Sequence, residues 1–177
     1  MSIPIHRRST MLALELTDVK DFMNKFLRSE VFDHFLVQEG IIHAAASYVI
    51  DGKLNDDFYT ETERQEQGLS NDRFLPYSML RANFFDLIKG KKAPSSFKVV
   101  LMLSHENLIH TLASIGSNYT ENDITAICLN IHYQNQQLTL TTGISYRIFS
   151  IDKSLEHEWD RLVLHFLRQN EIPFQEL

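Results

Sequence analysis

The sequence predicts an α+β fold: duplicated β-α-β-β units forming mainly antiparallel sheets, with an added C-terminal amphipathic helix. Three features carry that prediction. Both halves open alike, with an apolar run, a capping residue and an amphipathic stretch. The first is Leu12-Ala13-Leu14-Glu15-Leu16, Thr17 and on to Arg28; the second is Val99-Val100-Leu101-Met102-Leu103, Ser104 and on to Ile115. Long β-patterned segments follow each opening, where an alternating parallel scheme would place crossover helices. The final element carries Leu155, Trp159, Leu162, Val163 and Phe166 in one apolar stripe.

Taken in order, Thr17 is the expected N-cap of the first helix. Asp18 and Asp21 lie in its first turn and Lys25 and Arg28 near its end, a polarity that suits the helix dipole. Val19, Phe22, Met23 and Phe26 share its core face. After a turn around Glu30 to His34, Phe35 to Ile50 is β-like, with Gly40 as a bulge or bend and Asp51-Gly52 as a hairpin turn. Residues 55–73 are polar, with Asp56, Asp57, Glu61, Glu63 and Glu66, and are expected to form an exposed loop. Leu75 to Lys92 is ambiguous. Met79, Leu80, Phe84, Leu87 and Ile88 fall at helical spacing with Gly90 as C-cap, yet Phe84 to Ile88 and Phe97 to Leu103 also frame a hairpin around Gly90-Lys91-Lys92-Ala93-Pro94, and a short helix running into a strand fits as well.

In the second half, Ser104 caps a helix with Leu108, Ile109, Leu112 and Ile115 inward, closed by Gly116. Ile124 to Tyr133 is a strand with Ile127, Leu129, Ile131 and Tyr133 on one face. Gln134 to Gln137 turns, Leu138 to Thr142 pairs back, and Ile144 to Ile151 adds another strand. Ser154 or Asp152 caps the last helix. Residues 1–10 are expected to be an extension ahead of one domain spanning 11–177.

Composition bounds the function. The chain has 177 residues, 44% of them hydrophobic and 23% charged, with a net charge of −6. These values describe a globular chain able to bury a core, and they argue against a protein that coats nucleic acid over its whole surface. Cys128, the single cysteine, excludes an intrachain disulfide and reads as a buried small hydrophobe rather than a reactive thiol. No apolar run reaches membrane-spanning length, and Glu15 and Asp18 end the first one too early for a signal peptide. The expected location is the cytoplasm.

No catalytic, metal or cofactor motif emerges. His157-Glu158-Trp159-Asp160-Arg161 begins like a zinc-protease helix, but Arg161 stands where the second histidine belongs. Glu106 and His110 share a helical face without a third ligand, and His157 and His165 are expected to pack near Trp159. No serine sits in a nucleophile elbow, and Gly90-Lys91-Lys92 lacks the rest of a phosphate loop. The basic residues Arg81, Lys89, Lys91, Lys92 and Lys98, with Phe97 among them, form the binding candidate: a local positive patch on an acidic chain, suited to phosphates or an acidic partner.

Met11-Leu12-Ala13-Leu14-Glu15, the first helix through Phe26, Ile50-Asp51-Gly52-Lys53-Leu54-Asn55, Leu87 through Pro94, and Asp152-Lys153-Ser154-Leu155-Glu156-His157 together resemble an uncharacterised family of small Firmicutes proteins. That resemblance spans residues 11–174 and implies no activity. The order strand-helix-strand-strand, twice over, is also similar to a single domain of the DNA sliding clamp, most closely between Leu129 and Ile151. The helices that would face DNA carry a mixed set, including Asp18, Lys20, Asp21, His105 and Glu106, rather than a basic lining.

The expected function is a non-enzymatic binding or scaffolding protein of the bacterial cytoplasm, its partner a protein. The alternatives are an enzyme or small-molecule binder with a site near the 55–73 loop, or a weak nucleic-acid binder holding phosphates through the lysines. No cofactor and no membrane partner are expected, and a homo-oligomer stays open.

Overall fold

The computed structural model describes residues 12–69 and 71–177; the expectations placed on residues 1–10 and on Met11 lie outside that range. Both β-α-β-β halves are present. The first is β1 (Ala13–Leu16), α1 (Val19–Arg28), β2 (Leu36–His43) and β3 (Ser47–Asp51); the second is β4 (Ser96–Met102), α4 (His105–Ser114), β5 (Ile124–Gln134) and β6 (Gln137–Tyr146). Between them lie α2 (Glu61–Glu66) and α3 (Tyr77–Ile88), and after them α5 (Ser154–Gln169) and β7 (Phe174–Glu176). All strands join one antiparallel seven-stranded sheet in the order β3-β2-β4-β5-β6-β1-β7. The halves interleave, because β1 pairs with β6 rather than with a strand of its own half.

Strand alternation places the core on one face. Val37, Ile42, Phe97, Val99, Leu101, Ile127, Leu129, Ile131, Leu138 and Leu140 are buried there beneath the helices. An aromatic group seals the layer: Phe26 stacks on Tyr77 at 4.7 Å, and Phe32 meets Phe22, Phe26 and Phe166 edge-on. On α5, Leu155, Trp159, Val163 and Leu167 are buried, and the Trp159 indole donates to the Cys128 carbonyl at 2.9 Å. The stripe therefore docks as expected, with Leu162 and Phe166 at its margins. His157 and His165 are exposed instead of packed, since they lie on the opposite side of that stripe.

Helix ends show where local rules hold and where distant partners take over. α4 closes on Gly116 at φ +57°, with Ser117 N–H bonding Leu112 O and Gly116 N–H bonding Ala113 O, the paired bonds of a Schellman cap. At α1 the capping residue is Asp18, one later than expected, accepting from Asp21 N–H at 3.0 Å. Its C-terminus has no glycine. Side chains occupy the orphan carbonyls instead: Ser29 Oγ–H donates to Lys25 O, the Tyr77 hydroxyl to Phe26 O at 2.8 Å, and Arg81 to Ser29 O at 2.6 Å.

Several other expectations need correction. Leu75 to Lys92 resolves as helix α3, but Lys89 caps it, and Gly90 is not among the glycines at positive φ. The β2–β3 turn is Ala44–Ala46, not Asp51-Gly52, whose glycine N–H instead bonds Gln38 O. The bulge in β2 lies between Val37 and Glu39; Gly40 is small because the Phe84 ring presses on it, and a Cβ there would stand 2.4 Å from Phe84 Cε1. Ile109 is exposed on α4. Strand β6 is continuous to Tyr146, and nothing beyond it is a strand before α5. Cys128 is half-buried on the face opposite Ile127 and Leu129, with its Sγ 3.7 Å from Gln38 Oε1.

Candidate functional site

The basic residues do not form one cluster. Lys89, Lys91 and Lys92 occupy the exposed turn between α3 and β4, beside the β2–β3 turn, because Ser95 N–H bonds His43 O. Lys98 lies further along β4 on the face opposite Phe97 and Val99, between Ile41 and His132. Arg81 points elsewhere. One of its nitrogens holds Ser29 O and another stands 3.4 Å from Asp33 Oδ2, so it ties α3 to the segment after α1.

The 55–73 stretch is more ordered than its polarity suggests. Thr60 and Glu63 form a reciprocal capping box that starts α2, a pattern legible in Thr60-Glu61-Thr62-Glu63. Leu69 is buried, and Asp72 Oδ1 accepts the His105 N–H at 3.0 Å, fastening the loop to the start of α4. A cleft of about 460 Å³ opens there, lined by Asp33, His34, Leu69, Asp72, Glu106 and His110 among others. Asp33 Oδ1 is buried without a hydrogen-bond partner. Structure thus adds acidic and histidine neighbours to Glu106 and His110, yet among the described residues no three His, Cys, Asp or Glu groups are placed to hold a metal ion.

A different surface stands out for exposure of apolar groups. The link from β6 to α5 carries Ile148, Phe149 and Ile151, with Phe149 93% and Ile151 85% exposed. Both ends of this segment are pinned. Arg147 N–H bonds Asp123 O at 2.8 Å and its guanidinium bonds Asn122 O; Asp152 O accepts the Tyr119 hydroxyl at 2.8 Å, and Asp152 Oδ1 accepts Ser154 N–H. Behind it, burial pushes the Tyr146 phenol well above its ordinary value, with the Glu156 carboxylate adding to the effect. The residues were visible in the sequence as an apolar run. They read as a strand because a run of that length ordinarily buries itself.

Among the described residues no helix is long and apolar enough to cross a membrane. Comparisons with curated proteins and with solved structures return no match. A family model matches residues 25–175, from within α1 to β7, and the chain belongs to that family, the family of unknown function DUF5721.

Proposed function

We propose that this protein is a non-enzymatic docking or scaffolding protein of the bacterial cytoplasm that seats a partner protein on Ile148, Phe149 and Ile151. The carrying observation is the near-complete exposure of Phe149 and Ile151 on a segment anchored at both ends. Single exposed apolar residues are ordinary, but adjoining ones in water mark contact surfaces. Anchoring lowers the ordering cost of binding, which suits a surface presented for docking. The clamp likeness rests on the order of elements alone and adds no partner of its own. Replacing Phe149 and Ile151 together by serine is expected to abolish capture of the partner while leaving the melting temperature unchanged. Undiminished capture would overturn the reading.

One observation favours a second reading, a small-molecule site in the cleft between residues 68–72 and α4. Asp33, Asp72, Glu106 and His110 come together in its wall, a lining suited to an amine or polyol ligand. A thermal-shift screen of small amines and polyols tests it: stabilisation in the wild type that Glu106→Ala removes supports the site, and no stabilisation by any of them rejects it.

A further inference from the structure

The two edges of the sheet are unlike. β7 is a three-residue strand bearing Gln175 and Glu176, the short and charged type of edge that resists further pairing. β3 is longer, contains neither proline nor lysine, and exposes Tyr48 and Val49. Its hydrogen-bonding parity follows from two contacts. Gly52 N–H bonds Gln38 O, and His43 O is taken by Ser95 on the β4 side. Alternation then turns the N–H and C=O groups of Ser47, Val49 and Asp51 away from β2. Between this edge and α3 runs a cleft of about 420 Å³ lined by Ile50, Leu80 and Leu87, with Asn83 and Asp86 also in its wall.

We propose that β3 pairs antiparallel with β3 of a second copy of this chain, about a two-fold axis through Val49, joining two sheets into one. The strand is self-complementary about that residue. Val49 faces Val49 of the other copy, and Ser47 faces Asp51 on either side, giving about six inter-strand hydrogen bonds from backbone groups turned away from β2. On the face opposite Tyr48 and Ile50, the Asp51 carboxylate meets the second copy's Ser47 hydroxyl. Within one chain that hydroxyl stands 2.7 Å from His43 Nδ1, so it can donate to Asp51 while accepting from the imidazole. On the helix face, Tyr48 falls opposite Ile50 in a non-hydrogen-bonded pair, the kind that brings side chains closest. Its ring covers the cleft formed by Ile50, Leu80 and Leu87. This surface shares no residue with the Ile148–Ile151 segment, so the two proposals fail independently.

Sedimentation velocity of the full chain over a concentration series, with amide hydrogen exchange at Val49 and Ile50, tests the pairing. A monomer–dimer equilibrium is expected, and exchange at Val49 should slow as dimer accumulates while Ile50, already bonded to β2, stays unchanged. Val49→Pro removes an N–H that points away from β2, and Val49→Lys places a charge at the axis. Each is expected to weaken the dimer at least about tenfold, about 1.4 kcal/mol, with circular dichroism unchanged. A chain that stays monomeric throughout would overturn the proposal and leave the edge to a strand from another protein. A dimer unaffected by both substitutions would overturn it equally, by placing the interface elsewhere.

Discussion

Replacing Tyr77 by phenylalanine isolates one hydroxyl on which the first helix depends. Tyr77 is fully buried, and its hydroxyl donates to the Phe26 carbonyl, one of the orphan acceptors at the end of α1. The ring stack with Phe26 survives the substitution, so the lost quantity is the hydrogen bond plus the cost of an unpaired buried carbonyl. That cost is about 1–3 kcal/mol. For a chain of this size it corresponds to a fall in Tm of roughly 4–8 °C at the middle of that range. Differential scanning calorimetry at neutral pH reads it directly. The substitution also changes the alkaline limb. Burial pushes the Tyr77 phenol above its ordinary value of about 10, so the folded state favours the neutral form. Stability from this group is complete below the unfolded value and is lost as pH rises through the folded one. Tyr77→Phe should therefore lose less stability above about pH 10 than the wild type does. A Tm within about 1 °C of wild type, with an unchanged alkaline limb, would refute the argument that long-range side chains close α1.

Two other perturbations follow from the packing. A Cβ at Gly52 would lie 1.8 Å from the Val37 carbonyl oxygen, whereas one at Gly90 would meet only an atom at 3.9 Å; Gly52→Ala should cost several degrees of Tm by scanning fluorimetry and Gly90→Ala almost none. Burial raises the Asp160 carboxyl despite the hydrogen bond from Thr142 at 2.7 Å, so its contribution to stability is complete below the unfolded carboxyl value and lost as pH rises through the folded one. Asp160→Asn keeps an acceptor for Thr142 and should gain stability relative to wild type between acidic and neutral pH, as chemical denaturation at several pH values would show; a gap that does not widen with pH contradicts this.

Much of the fold was legible because it is written in local periodicity. The repeated opening, the Ser104 and Gly116 signals around α4 and the Trp159 stripe each depend on residues a few positions apart, and each appears in the structure. What stayed hidden depends on distant partners. α1 ends where Tyr77 and Arg81 reach it, more than 50 positions away, and β1 finds β6 across the chain. Ala44–Ala46 carries no turn chemistry, so the chain reverses there because β2 and β3 pair on either side. The candidate sites were hidden for the converse reason. Ile148, Phe149 and Ile151 have the composition of a strand, and only their exposure among the described residues makes them a surface. Likewise, a run of basic residues does not disclose that Arg81 is committed to Asp33 and Ser29 while Lys89, Lys91 and Lys92 stand free in solvent.

Docking through the β6–α5 segment is tested most directly inside the source cell. A photo-crosslinking phenylalanine analogue at position 149, compared with the same group at the exposed Lys92, would report contact without purification. One discrete adduct with another protein is expected from position 149, lost when Ile151 is replaced by serine and absent from position 92. Labelling that is diffuse, or equal at both positions, would contradict it.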